Sequence, residues 1–339
     1  MNAAESIVDD MIDGYVSAFE QVARGHQDPR IVVRAKGRKD PDRKVTLLIG
    51  NGSGHEPIAM GFVGAGLLDA NVVGDVFAAP SADLILDGIR EVSGKAGCIL
   101  LISQHSGDMI NGRAAVMLAE EERLRVRALP MYDDISSAPR DRMQDRRGAP
   151  GTMFVYKILG AAAEAGMPLD DLMTLGRAVR ARTVTLAAAL SPGISPLTGQ
   201  PMFDLPDDEI YLGMGVHGEP GIGRTGVGPV RDLVTLIVDK LLGDYPIASG
   251  GQAAVIVNGM GGTTLMELLT VWNETRHALA ARGIAAVAPM IGSFVTTQEM
   301  GGFSISLLEP AGDMLRLWTA PSDTPFFPSI RHAEKEKSQ

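Results

Sequence analysis

The sequence predicts an α/β protein of two domains, each a mostly parallel or mixed sheet flanked by helices, with a ligand site at the strand ends. Three observations carry this. Short apolar and β-branched runs alternate with amphipathic helical stretches, the pattern of strands joined by crossover helices. Several of those runs empty directly into glycine-rich turns, in a chain that holds 40 glycines. The 339 residues also exceed the length of about 250–300 at which a single core stops growing. The boundary is placed near residue 183, give or take about a dozen, giving an N-terminal α/β domain over 1–182 and a C-terminal one over 183–339.

Taken in order, residues 3–24 place Ile7, Met11, Ile12, Tyr15, Val16, Phe19 and Val22 at helical spacing and predict an amphipathic helix. A β-rich run at 44–49 leads into Gly50-Asn51-Gly52-Ser53-Gly54-His55-Glu56-Pro57, and a glycine-spaced stretch follows at 61–66. Residues 71–77 predict a short strand, and Ser81 caps a helix over 82–92. Residues 98–102 predict a buried strand ending in Ser103-Gln104-His105-Ser106-Gly107-Asp108, then a helix over 111–123 and a strand near Val126. The stretch 138–151, rich in Arg, Asp, Pro and Gly, predicts a solvated loop. Helices are expected at 152–165 and 169–190, with 191–206 connecting into the second domain. There, a strand at 210–216 ends at His217-Gly218-Glu219-Pro220, and a helix (230–242), a strand (253–257), a glycine turn (258–262) and a helix (263–281) follow. The charged end, 331–339, is expected to fray.

Composition removes several functional classes. A formal net charge of −10 argues against a nucleic-acid binder, which would present a basic face. No stretch of about 18 residues is free of charge, proline and glycine, so no membrane span is expected. The N-terminus carries acids where a signal peptide would carry bases. The single cysteine, Cys98, sits in an apolar run and is expected to be buried and inert, which suits a reducing cytoplasm.

Familiar ligand motifs fail on context. Gly213, Gly215 and Gly218, and again Gly221, Gly223 and Gly226, have G-x-G-x-x-G spacing without the strand–turn–helix setting of a dinucleotide site. Gly88 to Lys95 lacks phosphate-loop spacing, with Ala96 where a metal-binding hydroxyl belongs. Ser53 lies one position out of register for a nucleophile elbow. What remains is His55, Asp108 and His217, each at a strand end beside glycine, where open α/β sheets bind ligands. One such residue alone reads as a surface loop side chain; three point to a site. Two histidines and a carboxylate also suit a metal, but close His–His spacing on one element is missing, so no metal is expected.

Gly52-Ser53-Gly54-His55-Glu56-Pro57, the following Gly61, Gly64 and Gly66-Leu67-Leu68-Asp69-Ala70, Ser106-Gly107-Asp108, Pro150-Gly151-Thr152, Gly215-Val216-His217-Gly218-Glu219-Pro220-Gly221 and Asn258-Gly259-Met260-Gly261 together resemble the substrate-binding K subunit of dihydroxyacetone kinases. The resemblance runs in consistent order over residues 10–328. It implies that His217 adds through a ring nitrogen to a ketone carbon as a covalent hemiaminal. It implies that Asp108 holds a terminal hydroxyl and takes its proton, that His55 binds and polarises the substrate, and that Gly52, Ser53 and Gly107 add contacts. No cofactor is then expected on this chain. ATP or ADP with Mg would sit on a helical, nucleotide-binding L-type subunit, recharged in some systems by an M-type phosphotransferase protein. A cytoplasmic homodimer is expected.

The chemistry agrees independently. A neutral imidazole has a lone pair for a carbonyl carbon, and glycerol, lacking a carbonyl, would not be trapped. Phosphoryl transfer removes the alcohol proton late, so a well-placed aspartate suffices. One departure bears on the substrate. Where the family commonly has Lys-Asn-Tyr, this chain has Ser103, Gln104 and His105. A four-carbon ketose such as erythrulose is therefore a second candidate substrate, and His105 is expected to be an exposed loop residue. Two further readings are a non-catalytic, ketose-sensing regulatory paralogue and a small-molecule binding module with no kinase partner.

Overall fold

The computed structural model describes residues 4–328, so the charged segment 331–339 lies outside the described residues. In chain order the elements are α1 (Ile7–Ala18), β1 (Val22–Arg24), β2 (Ile31–Arg34), β3 (Thr46–Ser53), β4 (Ala70–Val76), α2 (Ala82–Val92), β5 (Cys98–Ile102), α3 (Ser106–Glu121), β6 (Val126–Pro130), α4 (Thr152–Glu164) and α5 (Leu169–Ala181). There follow β7 (Thr183–Ala189), β8 (Glu209–Leu212), β9 (Gly223–Gly226), α6 (Val230–Asp244), β10 (Gln252–Gly259), α7 (Leu265–Ala280), β11 (Ala285–Gly292), β12 (Gly302–Leu308) and α8 (Met314–Trp318).

Two six-stranded sheets result, in the orders β1-β2-β4-β3-β5-β6 and β11-β10-β12-β7-β8-β9. In the first, β4, β3, β5 and β6 run parallel while β1 and β2 pair antiparallel at the edge. The second is mixed towards antiparallel: only β10 and β11 are parallel, because β12 returns between β10 and β7 and β7-β8-β9 form a meander.

Strand alternation assigns the faces. Leu48 points to α2 and α3, whereas Leu47 and Ile49 point to a central layer containing α4. In the second sheet Ala253, Val255 and Val257 face α6 and α7, while Ala254 and Ile256 face that same central layer. The α4 helix is therefore mostly apolar and buried from Thr152 to Ala163 between two sheets, with Lys157 as its one buried charge, donating to the Leu317 carbonyl at 3.3 Å. Cys98 is buried, and burial pushes its thiol up to about 12, as its apolar setting suggested. Ser81 caps α2 by accepting from the Leu84 N–H at 3.2 Å.

Four local expectations are corrected. The first helix ends at Ala18, and Val22–Arg24 form an edge strand, because Phe19 turns extended. The helix expected over 169–190 ends at Ala181. Thr183, Val184 and Thr185 are β-branched and start β7, with Val184 and Leu186 packed under α6. Residues 191–206 join β7 to β8 within one sheet rather than leading into a new domain. The arginine-rich loop is only partly solvated: Asp141, Arg142, Gln144 and Asp145 are exposed, but its end turns inward. Arg146 is 1% exposed and forms a two-pronged pair with Asp244 at 2.9 and 2.5 Å.

Candidate functional site

Loops from both sheets converge on one cavity of about 630 Å3. The parallel strands β3 and β5 deliver Gly52 and His55, and His105 to Asp108, to its rim, the latter at the start of α3. The loop after β8 delivers His217 and Glu219, and the loop after β11 supplies the Thr296 carbonyl. Two glycines are dictated by close approach. A Cβ on Gly52 would lie 2.7 Å from the Ala78 nitrogen, and one on Gly215 would collide with the Glu219 carboxylate that curls back over it.

The polar groups form a chain. The His55 Nδ1–H donates to the Thr296 carbonyl oxygen at 2.8 Å, and His55 Nε2 meets His217 Nε2 at 2.9 Å. His217 Nδ1 meets Glu219 Oε1 at 2.9 Å, and the His217 backbone N–H donates to Glu219 Oε2 at 2.9 Å. A carbonyl and a carboxylate only accept, so both Nδ1 atoms carry hydrogen, and the Nε2–Nε2 approach needs a third proton between the rings. Three protons on two imidazoles make one imidazolium. Burial, helped by repulsion from His217, pushes His55 down to about 3, so that ring resists holding the proton alone and the one positive charge belongs to the pair. Glu219 answers it: although burial alone would raise its pKa, the hydrogen bond from His217 and the charge on that ring hold it well below the usual range.

Of the residues singled out in the sequence, His55, Asp108, His217, Gly52 and Gly107 all line this cavity. Ser53 does not. It is 2% exposed at the end of β3, where its carbonyl accepts from the Phe77 N–H at 2.9 Å. Sequence reasoning placed His105 in solvent, but its side chain is only 21% exposed and its Nδ1 lies 3.6 Å from Asp108 Oδ2. It occupies the N-cap position of α3, without a capping bond from its side chain, and the spacing His105 to Asp108 at the N-terminal end of a helix was the available signal. Burial opposes charge on His105, but Asp108 and Glu219 outweigh it and raise its pKa. Glu219 was part of a quoted motif without a role. Arg147 was read as solvated, yet it lines the cavity, 4.0 Å from Glu219 and held by Asp134 at 2.7 and 3.0 Å.

A family model, the Dak1 domain, matches residues 13–326. The chain belongs to the Dak1 family. Among its relatives, the dihydroxyacetone-binding subunit of PTS-dependent dihydroxyacetone kinase 1 from Listeria innocua is 38% identical, over 96% of this chain and 98% of that one. Among solved Dak1-like structures, the dihydroxyacetone kinase from C. freundii, in complex with AMP-PNP and Mg2+, matches with a TM-score of 0.88 at 33% identity, covering 99% of this chain and 62% of that one. A dihydroxyacetone kinase operon co-activator, Dha-DhaQ, matches with a TM-score of 0.87 at 29% identity, covering 94% of this Dak1 chain and 98% of that one. No helix among the described residues is long and apolar enough to cross a membrane.

Proposed function

We propose that this chain is the substrate-binding subunit of a dihydroxyacetone-type kinase and that it holds a short ketose by a reversible bond from His217 Nε2 to the ketone carbon. One observation carries the reading: His217, His55 and Asp108 line a single cavity, with His217 hydrogen-bonded to His55 on one side and to Glu219 on the other. The full-length likeness to a dihydroxyacetone-binding subunit supports it.

The proton count supports the chemistry. The proton held between the two Nε2 atoms moves onto His55, which frees the His217 Nε2 lone pair to form the N–C bond, and it then passes from His55 to the ketone oxygen, which becomes the hemiaminal hydroxyl. The ring is left as an N-substituted imidazolium whose Nδ1–H stays on Glu219. The histidine pair carries one positive charge before and after, so capture needs no proton from solvent. Asp108, on the same cavity wall, accepts the hydrogen bond of the terminal hydroxyl and takes its proton late in transfer.

In this reading a separate helical L-type subunit brings ATP or ADP with Mg2+, recharged in the second case by an M-type phosphotransferase protein, and the chain works as a cytoplasmic homodimer. Dihydroxyacetone is the first candidate substrate and a four-carbon ketose the second, because Ser103, Gln104 and His105 line the cavity. The likeness to an operon co-activator favours a second reading, a ketose sensor that never transfers phosphate. Asp108 separates the two, because a sensor needs the capturing imidazole but no base.

Calorimetric titration with dihydroxyacetone, paired with a coupled kinase assay, tests this. His217→Ala is expected to abolish ketose binding. Asp108→Asn is expected to retain binding and to lose about 100-fold or more of the turnover with the partner subunit. Unchanged binding in the first variant removes the capture role, and unchanged turnover in the second removes the base.

A further inference from the structure

We propose that His105, His217 and Glu219 form a site for a divalent transition metal of the Zn2+ type, built on the same imidazole that captures the ketose. Each residue offers one donor atom, and the three donors lie within 4.8 Å of one another. Glu219 Oε1 is 2.9 Å from His217 Nδ1 and 3.9 Å from His105 Nε2. Metal–donor bonds of about 2.0–2.1 Å in a tetrahedral site keep neighbouring donors about 3.3 Å apart, so the two distances bracket what a zinc ion requires. Small side-chain rotations close the difference.

The surroundings match as well. The remaining His105 nitrogen, Nδ1, faces Asp108 Oδ2 at 3.6 Å, the carboxylate–histidine–metal arrangement that orients a ligating ring. The remaining His217 nitrogen is backed by His55, which the Thr296 carbonyl holds in place. Two imidazoles and a carboxylate select zinc-like ions over Mg2+ or Ca2+, which prefer all-oxygen shells. All three residues line the cavity, which leaves the fourth position open to water. The expectation of no metal rested on spacing within one element, whereas these donors come from two loops on different sheets.

A metal at this place displaces the Nδ1 proton of His217 and takes from it the Glu219 counter-charge that capture uses, so metal loading opposes ketose capture. That opposition rests on the functional reading above; the metal site itself does not. The test uses the full chain without a histidine tag, stripped with chelator and titrated with Zn2+ alone by calorimetry, with the visible spectrum of Co2+ reporting tetrahedral geometry. One tight equivalent is expected. His105→Gln should weaken it by at least about ten-fold, and His105→Cys, which restores a soft donor, should recover it. His277→Gln, on the exposed face of α7, should leave it unchanged. No stoichiometric binding, or equal affinity in His105→Gln, overturns the site. Zinc loading should also weaken dihydroxyacetone binding by the unaltered chain by about ten-fold or more, and unchanged ketose affinity overturns the coupling. Zinc binding by a chain that never binds ketose would leave the metal site standing and remove the kinase reading instead.

Discussion

At the residue scale the site turns on how one imidazole is presented. His217 follows β8 on a loop that the sequence reads as strand up to 216, and Gly218, with a φ of +84°, lets Glu219 fold back onto its Nδ1. Because Gly215 lacks a side chain, the carboxylate can also take the His217 backbone N–H. Glu219 therefore fixes the ring's orientation and, in the proposed capture, balances the charge left on it. Glu219→Gln keeps the shape and removes the charge. Ketose affinity is expected to fall by roughly 10- to 100-fold, the worth of a charge-assisted hydrogen bond in a sheltered site. Calorimetry measures this directly, and unchanged affinity would mean that the hemiaminal does not depend on a counter-charge. His105 shows the opposite lesson. A histidine after a buried strand is usually a loop residue, but the N-terminal turn of α3 holds this one against Asp108 and the His217 ring, 5.4 Å between ring centres.

At the element scale, the loop before α4 decides whether the rim is rigid. Its composition looked solvated, and only the fold supplies Asp244, from a helix about 100 residues later, to receive Arg146. Asp244→Ala strands a guanidinium that is 1% exposed, and the expected cost is about 3–5 kcal/mol, read from denaturant unfolding. A loss below about 1 kcal/mol would mean that the pair is dispensable. The same distinction explains what was legible. Strands β3, β5 and β10 and helices α2, α6 and α7 announce themselves through local pattern and caps. Strand β7 did not, because Ala187, Ala188 and Ala189 suit a helix and only pairing with β12 makes them a strand. The site divides likewise: His55, Asp108 and His217 were visible from their places at strand ends, whereas His105, Arg147 and the task of Glu219 emerge only when loops from two sheets meet.

At the scale of the whole molecule, two sheets share the central layer around α4, and their loops close over one cavity. An ion network ties the first sheet to the end of that helix: Arg34 and Lys44 are buried against Asp69 and Glu164. Burial would raise the pKa of Glu164, but Lys44 and Arg34 outweigh it and hold it at about 2, against an ordinary 4.5. A carboxyl depressed in the folded state contributes stability that is complete above the unfolded value and is lost as pH falls towards the folded one. Urea midpoints should therefore drop between about pH 5 and about pH 3, and Glu164→Gln should flatten that drop. An identical acid loss in the variant would place the linkage elsewhere.

The central claim is a covalent bond between a ring nitrogen and a ketone carbon. Carbon-13 NMR of dihydroxyacetone labelled at C2 and bound to the chain tests it most directly. The account predicts that the ketone signal is replaced by that of a tetrahedral carbon, and that His217→Ala restores the free spectrum. A bound ligand whose C2 keeps its ketone signal would contradict it.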